Sequence, residues 1–168
     1  LFDDAIVDVS GDAGGGTALI GGNFYGQGEE PNAKRTHVDD GVSINADAIN
    51  SGDGGTVVVW ADEVTGFFGE ISGTGGATGG DGGNAEVSGK NHLDFQGLVN
   101  LSAEFGDPGT LLLDPSNITI SDAANGNIAN DGGDPNTFTS NANAASNILA
   151  SVIELLLEGG TSVEVDTA

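Results

Sequence analysis

The sequence predicts an all-β solenoid: coils of short strands wound about one axis, with loop excursions and one short C-terminal α-helix. Three observations predict it. A phrase recurs four times, in which a short β-type run and a glycine-rich turn lead through a Gly-Thr or Gly-Asn step into a second run. Glycine is abundant, 30 of 168 residues, and is concentrated in the turns. Apolar residues make up only 37% of the chain, below the usual ~45–50%, yet they gather in short β-branched runs. That pattern fits a folded chain with a thin core better than a disordered one.

The phrase runs from Val7-Asp8-Val9 to Gly16-Thr17-Ala18-Leu19-Ile20, and from Val42-Ser43-Ile44 to Gly55-Thr56-Val57-Val58-Val59. It returns from Glu70-Ile71-Ser72 to Gly83-Asn84-Ala85-Glu86-Val87, and from Leu98-Val99-Asn100-Leu101 to Gly109-Thr110-Leu111-Leu112-Leu113. The launching residues Thr17, Thr56, Asn84 and Thr110 stand 39, 28 and 26 positions apart. A period of that size is one supersecondary unit stacked on its copies.

Strands are expected at 5–9, 17–20, 42–44, 56–60, 67–72, 85–87, 93–95, 98–101, 110–113 and 117–120. Several alternate, as in Val42 with Ile44, Glu86 and Ser88 against Val87, and Ile118 with Ile120, so one face is buried and one is wet. Val57-Val58-Val59-Trp60 and Leu111-Leu112-Leu113 are apolar throughout and fit strands covered on both faces. The glycine runs read as corners, where positive φ is demanded. Residues 23–41, with Pro31, Lys34, Arg35 and His37, read as one long loop, and 121–145 as an exposed Asn/Asp/Gly-rich loop. Ile148, Leu149, Val152, Ile153 and Leu156 then follow helical spacing. They predict a helix near 147–157, started by Ser146 or Asn147, ended by Gly159 and covering the open edge of the stack. Ser162 to Asp166 resumes strand. The organisation is one domain of about six coils: 1–120 as solenoid, 121–145 as loop, 146–168 as helix plus returning strand.

Charge excludes several functions. Twenty-six acidic residues face only Lys34, Arg35 and Lys90, a net −23. Binding to a nucleic-acid backbone requires Lys and Arg, and anionic membrane surfaces repel such a chain. No apolar stretch approaches the ~20 residues that span a bilayer, so membrane insertion is not expected. The absence of Cys removes disulfides and Cys-ligated zinc. No signal peptide is visible and the chain starts at Leu1, so a mature piece or an internal fragment is expected.

No catalytic, cofactor-binding or metal residue is assigned. The adjacent pairs Asp3-Asp4 and Asp39-Asp40 point to opposite faces of a strand, whereas a glycosidase needs two carboxylates set across one bond. His37 and His92 lack a neighbouring His or Cys and are expected at exposed or corner positions. Gly79-Gly80-Asp81-Gly82-Gly83 leads into a strand without the Lys of a phosphate loop. The nearest approach to a calcium-binding β-roll has Asn84 where Asp belongs and Glu86 where an apolar residue belongs. Diffuse Ca²⁺ binding by stacked Asp53, Asp62, Asp81, Asp107 and Asp122 is the one cofactor reading. The sequons at Asn100 and Asn117 read as chance.

Several stretches carry a resemblance. They are Gly16 to Gly26, Pro31-Asn32-Ala33, Ile44-Asn45-Ala46-Asp47-Ala48, Gly52-Asp53-Gly54-Gly55-Thr56 through Trp60-Ala61-Asp62, Gly82-Gly83-Asn84-Ala85-Glu86-Val87-Ser88-Gly89-Lys90, and Gly109-Thr110-Leu111-Leu112-Leu113-Asp114-Pro115-Ser116-Asn117-Ile118-Thr119-Ile120. Together they resemble the repeat region of filamentous-haemagglutinin-like exoproteins, the adhesins of two-partner secretion systems. The likeness covers about 15–120 and extends to the helix-then-strand step at 146–166. It implies a right-handed parallel β-helix in a large protein exported through an outer-membrane β-barrel partner to the bacterial cell surface or beyond. The expected role is a stiff, non-catalytic adhesive rod whose partner is a surface glycan or a host or abiotic surface. The alternatives are a subunit of a self-assembling filament, a homopolymer stacked end to end, and a polysaccharide-binding or polysaccharide-active β-helix.

Overall fold

The computed structural model describes residues 1–122, 128–130, 138–140 and 146–167. Among these residues strand is the predominant regular structure, arranged mainly in parallel sheets, with one short α-helix near the C-terminus. Each expected run forms strand. They are β1 (Ile6–Asp8), β2 (Thr17–Ile20), β4 (Ser43–Asn45), β5 (Thr56–Ala61), β8 (Asn84–Gly89), β9 (His92–Phe95), β10 (Leu98–Asn100), β11 (Thr110–Leu113) and β12 (Ile118–Ser121). The run expected at 67–72 is two strands, β6 (Val64–Phe67) and β7 (Glu70–Ser72), parted at Phe68-Gly69. An unexpected strand, β3 (Arg35–Val38), lies inside the segment read as one long loop. It was hidden because Arg35, Thr36 and His37 are polar and only Val38 is fully buried.

Successive strands visit three parallel sheets in rotation. The first sheet has the order β1-β4-β7-β10. The second holds β2, β5, β8 and β11 and ends with β16 (Ser162–Val165); the third runs β3-β6-β9 and then β15 (Ser146–Leu149) and β12. The second and third sheets are each five strands deep, where about six coils are expected from the sequence. The launching residues form a single ladder, Thr17 beside Thr56, Asn84, Thr110 and finally Ser162.

Inward side chains of all three sheets merge into one aliphatic and aromatic cluster. Ala18, Val57, Ala85 and Leu111 form one inward row of the second sheet, and Val38, Phe67, Phe95 and Ile148 one row of the third. The Phe67 and Phe95 rings stack with centroids 5.5 Å apart. Parallel register places like beside like at one strand spacing, ~4.8 Å.

The glycine before each launching residue has a steric reason. A Cβ on Gly55, Gly83 or Gly109 would lie 2.1, 2.2 or 1.9 Å from a carbonyl oxygen one level below. None of these three has positive φ, so close backbone approach selects glycine here, where positive φ was expected to.

The C-terminal part departs from the expected order. β12 lies two levels beyond β9, and β15, later in sequence, fills the gap between them. Of the loop expected at 121–145, Ser121 ends β12, and β13 (Ile128–Asn130) and β14 (Phe138–Ser140) pair antiparallel; residues 123–127, 131–137 and 141–145 lie outside the described residues. The helix α1 spans Ala150–Glu158, not 147–157. Ser146 and Asn147 do not cap it. They belong to β15, where the buried Ser146 hydroxyl accepts the Leu93 N–H at 2.9 Å, and the helix starts at Leu149 without a side-chain cap. Gly159 ends the helix as expected. α1 packs beside β10, β15 and β16 with Leu156 in the core. Among the described residues no helix is long and apolar enough to cross a membrane.

Candidate functional site

The outer face of the second sheet is covered, and the cover builds a cleft. Val58, Glu86 and Leu112 lie in register on that face, as do Trp60 and Ser88, and all five are buried. The connection from β2 to β3 folds over them. It leaves β2 through Gly21 (φ 80°), where only a glycine tolerates both the positive φ and the Trp60 carbonyl 2.3 Å from a would-be Cβ. Gly26 rests directly on the Trp60 indole, whose ring carbon would stand 2.4 Å from an added Cβ.

A single 3₁₀ turn, Phe24–Gly26, shapes the tip of this cover. Asn23 accepts the Phe24 N–H at 2.8 Å and donates to Glu30 at 3.0 Å. Tyr25 is held at φ 55°, ψ 19°, a left-handed conformation uncommon for a bulky residue. Its N–H donates to Glu86 Oε2 at 2.9 Å, so a carboxylate from β8 fastens the cover. Glu86 is fully buried, and Tyr25 and Ser88 are the groups that face its carboxylate. Burial pushes its carboxyl above the usual range; the Tyr25 N–H and Ser88 pull it partly back, and the charge of Asp114 adds to the rise. The Tyr25 phenol is also raised, by desolvation first and then by Glu164, Glu86, Asp114 and Asp166. It stays a hydroxyl at neutral pH.

The cleft beside this turn measures about 310 Å³ and is lined by Tyr25, Gly26, Gln27, Asn32, Trp60, Asp62, Lys90, Asp114 and Ser116. Asn32 ties its two walls together, its Nδ2 donating to Gly26 O at 2.8 Å and to Asp62 Oδ1 at 3.0 Å. Asp62 also accepts the Trp60 Nε1–H at 3.3 Å. Trp60 is nearly covered, whereas Tyr25 is 47% exposed. Lys90 makes no ion pair among the described residues.

The residues weighed from sequence are placed as follows. Asp3-Asp4 and Asp39-Asp40 lie near one another around Gly41, away from the cleft. Both histidines are largely covered and lie in strands, a correction to the exposed or corner positions expected of them. His92 is 5% exposed within β9; His37 stacks on Phe2 at 5.4 Å and lies 3.4 Å from Asp39. Burial lowers the His37 pKa, and Asp39 opposes that shift. Asp53, Asp81 and Asp107 form a ladder at an exposed corner, each of the first two accepting the next residue's backbone N–H at 2.8 and 2.9 Å. Asp62 belongs to the cleft instead, and Asp122 is exposed elsewhere. Among the described residues no three acidic, His or Cys side chains converge on a metal position.

The sequence pattern does not reveal Tyr25 or the cleft, and its alternation sets Glu86 and Ser88 on a wet face, whereas both are buried beneath the cover. Glu86 in an otherwise apolar phrase was the available signal: a carboxylate in a covered strand implies a partner above it. No protein-family model matches the chain, and the comparison with curated proteins finds no match.

Proposed function

We propose that the chain is a right-handed parallel β-helix serving as a stiff, non-catalytic segment of a large secreted bacterial surface protein used in attachment. The observation that carries this reading is the rotation of the chain through three parallel sheets, with Thr17, Thr56, Asn84, Thr110 and Ser162 in one ladder. Closure of the sheets around their shared core gives a rod, and parallel crossovers are right-handed in nearly all proteins. Backbone hydrogen bonds then run along the axis, so bending the rod means breaking many bonds together.

The likeness to filamentous-haemagglutinin-like exoproteins supplies the cellular setting: export through an outer-membrane β-barrel partner, a surface or extracellular location, and a surface glycan or a host or abiotic surface as the object of attachment. The acidic exterior supports a solvated rod that does not engage nucleic acid. The test is excision of the region from its parent gene. Export retained with attachment lost is the expected outcome; attachment at the wild-type level would remove the adhesive role.

The sheet edges favour a second reading, a self-assembling filament. β1, β2 and β3 are outermost in their three sheets and so form one level of edge strands, a template for another chain's strands. Electron micrographs of the purified protein decide it: uniform rods many domains long support stacking, and monodisperse monomers exclude it.

A further inference from the structure

We infer that the cleft between the β2–β3 cover and the outer face of the second sheet is a binding site for a neutral saccharide. The inference deepens the attachment role proposed above by assigning recognition to the side of the rod and naming the ligand's chemistry.

Two unfavourable features converge there on one residue of the cleft wall. Tyr25 adopts a left-handed backbone conformation, and strain of this kind gathers at ligand sites. Core packing does not explain it, because the Tyr25 side chain stays half exposed at the cleft wall. Glu86 is a fully buried carboxylate whose Oε2 accepts the Tyr25 N–H. Both features act on the backbone of Tyr25, the residue whose ring forms one wall of the cleft.

The lining chooses among ligands. Asp62 and Asp114 are acceptors, Lys90 and Gln27 carry donors, and the Tyr25 ring offers an apolar face. Sugar hydroxyls donate and accept at once, and the C–H face of a sugar ring stacks on an aromatic. A cation is disfavoured by Lys90 and by the absence of three converging metal ligands among the described residues. A polyanion is disfavoured by the net charge of −23. At about 310 Å³, the cleft is at the small end of ligand pockets, suited to a short stretch of glycan.

The purified chain is titrated with neutral gluco-, manno- and galacto-oligosaccharides and with oligouronates, by calorimetry and by emission of the single tryptophan, Trp60, which lines the cleft. Saturable binding of at least one neutral series is expected. Tyr25→Gly, which removes the ring while suiting the positive φ, and Asp114→Asn should each weaken it by about tenfold or more, with melting no earlier than that of the wild type. If either variant melts early, Lys90→Gln, at an exposed position, takes its place and should show the same loss. Absence of saturable binding by any neutral series, equal affinity in the variants, or preference for oligouronates would overturn the assignment. A negative titration leaves the rod reading standing, because that reading is judged by attachment of cells carrying the excised gene.

Discussion

The backbone N–H of Tyr25 reaches the carboxylate of Glu86 across 2.9 Å, joining residues 61 positions apart. One side chain on β8 thereby fixes the cover over the outer face of the second sheet. The bond has a cost, since Glu86 is a carboxylate fully buried beneath the cover.

That cost depends on pH. The folded-state pKa of Glu86 is raised, first by burial, so the native state holds the proton at pH values where the unfolded chain has released it. Stability from this group is full below the unfolded value and falls as pH rises through the folded one. Glu86→Gln keeps an acceptor for the Tyr25 N–H and removes the charge. It should raise the melting temperature at neutral pH by a few degrees, with the difference shrinking in acid. Melting curves of both proteins from acid to neutral pH check this. A variant less stable than wild type at neutral pH would mean the charged form is the favoured one.

Phe95 lies in the buried row of the third sheet, stacked on Phe67. Phe95→Ala should cost about 3–5 kcal/mol in urea unfolding, the range for emptying a large core site. Phe105, 62% exposed, supplies the contrast: Phe105→Ala should fall within about 0.5 kcal/mol of wild type. Equal losses at the two positions would mean the row is not a continuous core.

Glycine acts in two ways that substitution separates. Gly83→Ala places a Cβ 2.2 Å from the Gly55 carbonyl oxygen, and rigid backbone on the neighbouring level cannot yield, so a loss of about 2 kcal/mol or more is expected. Gly79 has φ 138° but nothing within 4 Å of a would-be Cβ. Gly79→Ala therefore carries only the backbone penalty and should cost less. Equilibrium unfolding of the pair gives the order; a reversed order would place the constraint in φ and not in the approach of adjacent levels.

These positions show why much of the fold was legible and the cleft was not. Parallel stacking repeats one chemical environment at every level, so the Gly-Thr and Gly-Asn steps recur in sequence and align in space, as Thr56 does with Asn84. β3 escaped because its pairing is carried by backbone and by one inward Val38, while its other residues are polar. β15 escaped because Ile148 and Leu149 suit either period, and the buried Ser146 contact with Leu93 that selects strand is not local. The cleft depends on which loop folds over which face. Asn32 with Asp62 and Tyr25 with Glu86 are partners across levels, and no spacing rule joins them.

Thr161 closes the C-terminal end, and its role can be isolated. It follows α1, is 2% exposed, and its hydroxyl both accepts the Leu101 N–H at 3.0 Å and donates to the Val99 carbonyl at 3.1 Å. The helix occupies the place beside β10 where a further strand would pair, so Leu101 finds a side chain in place of a backbone acceptor. Thr161→Val preserves the shape and strands a buried N–H and a buried carbonyl. The cost should be about 1–3 kcal/mol, with faster hydrogen exchange at the Leu101 amide. Thr78→Val removes a hydroxyl bonded to the Asn50 carbonyl at an exposed corner, where water replaces it, and should change stability by less than about 0.5 kcal/mol. If both valine variants behave alike and Leu101 exchange is unaltered, the helix is held by its apolar face alone, and Thr161 does not fasten the end of the stack.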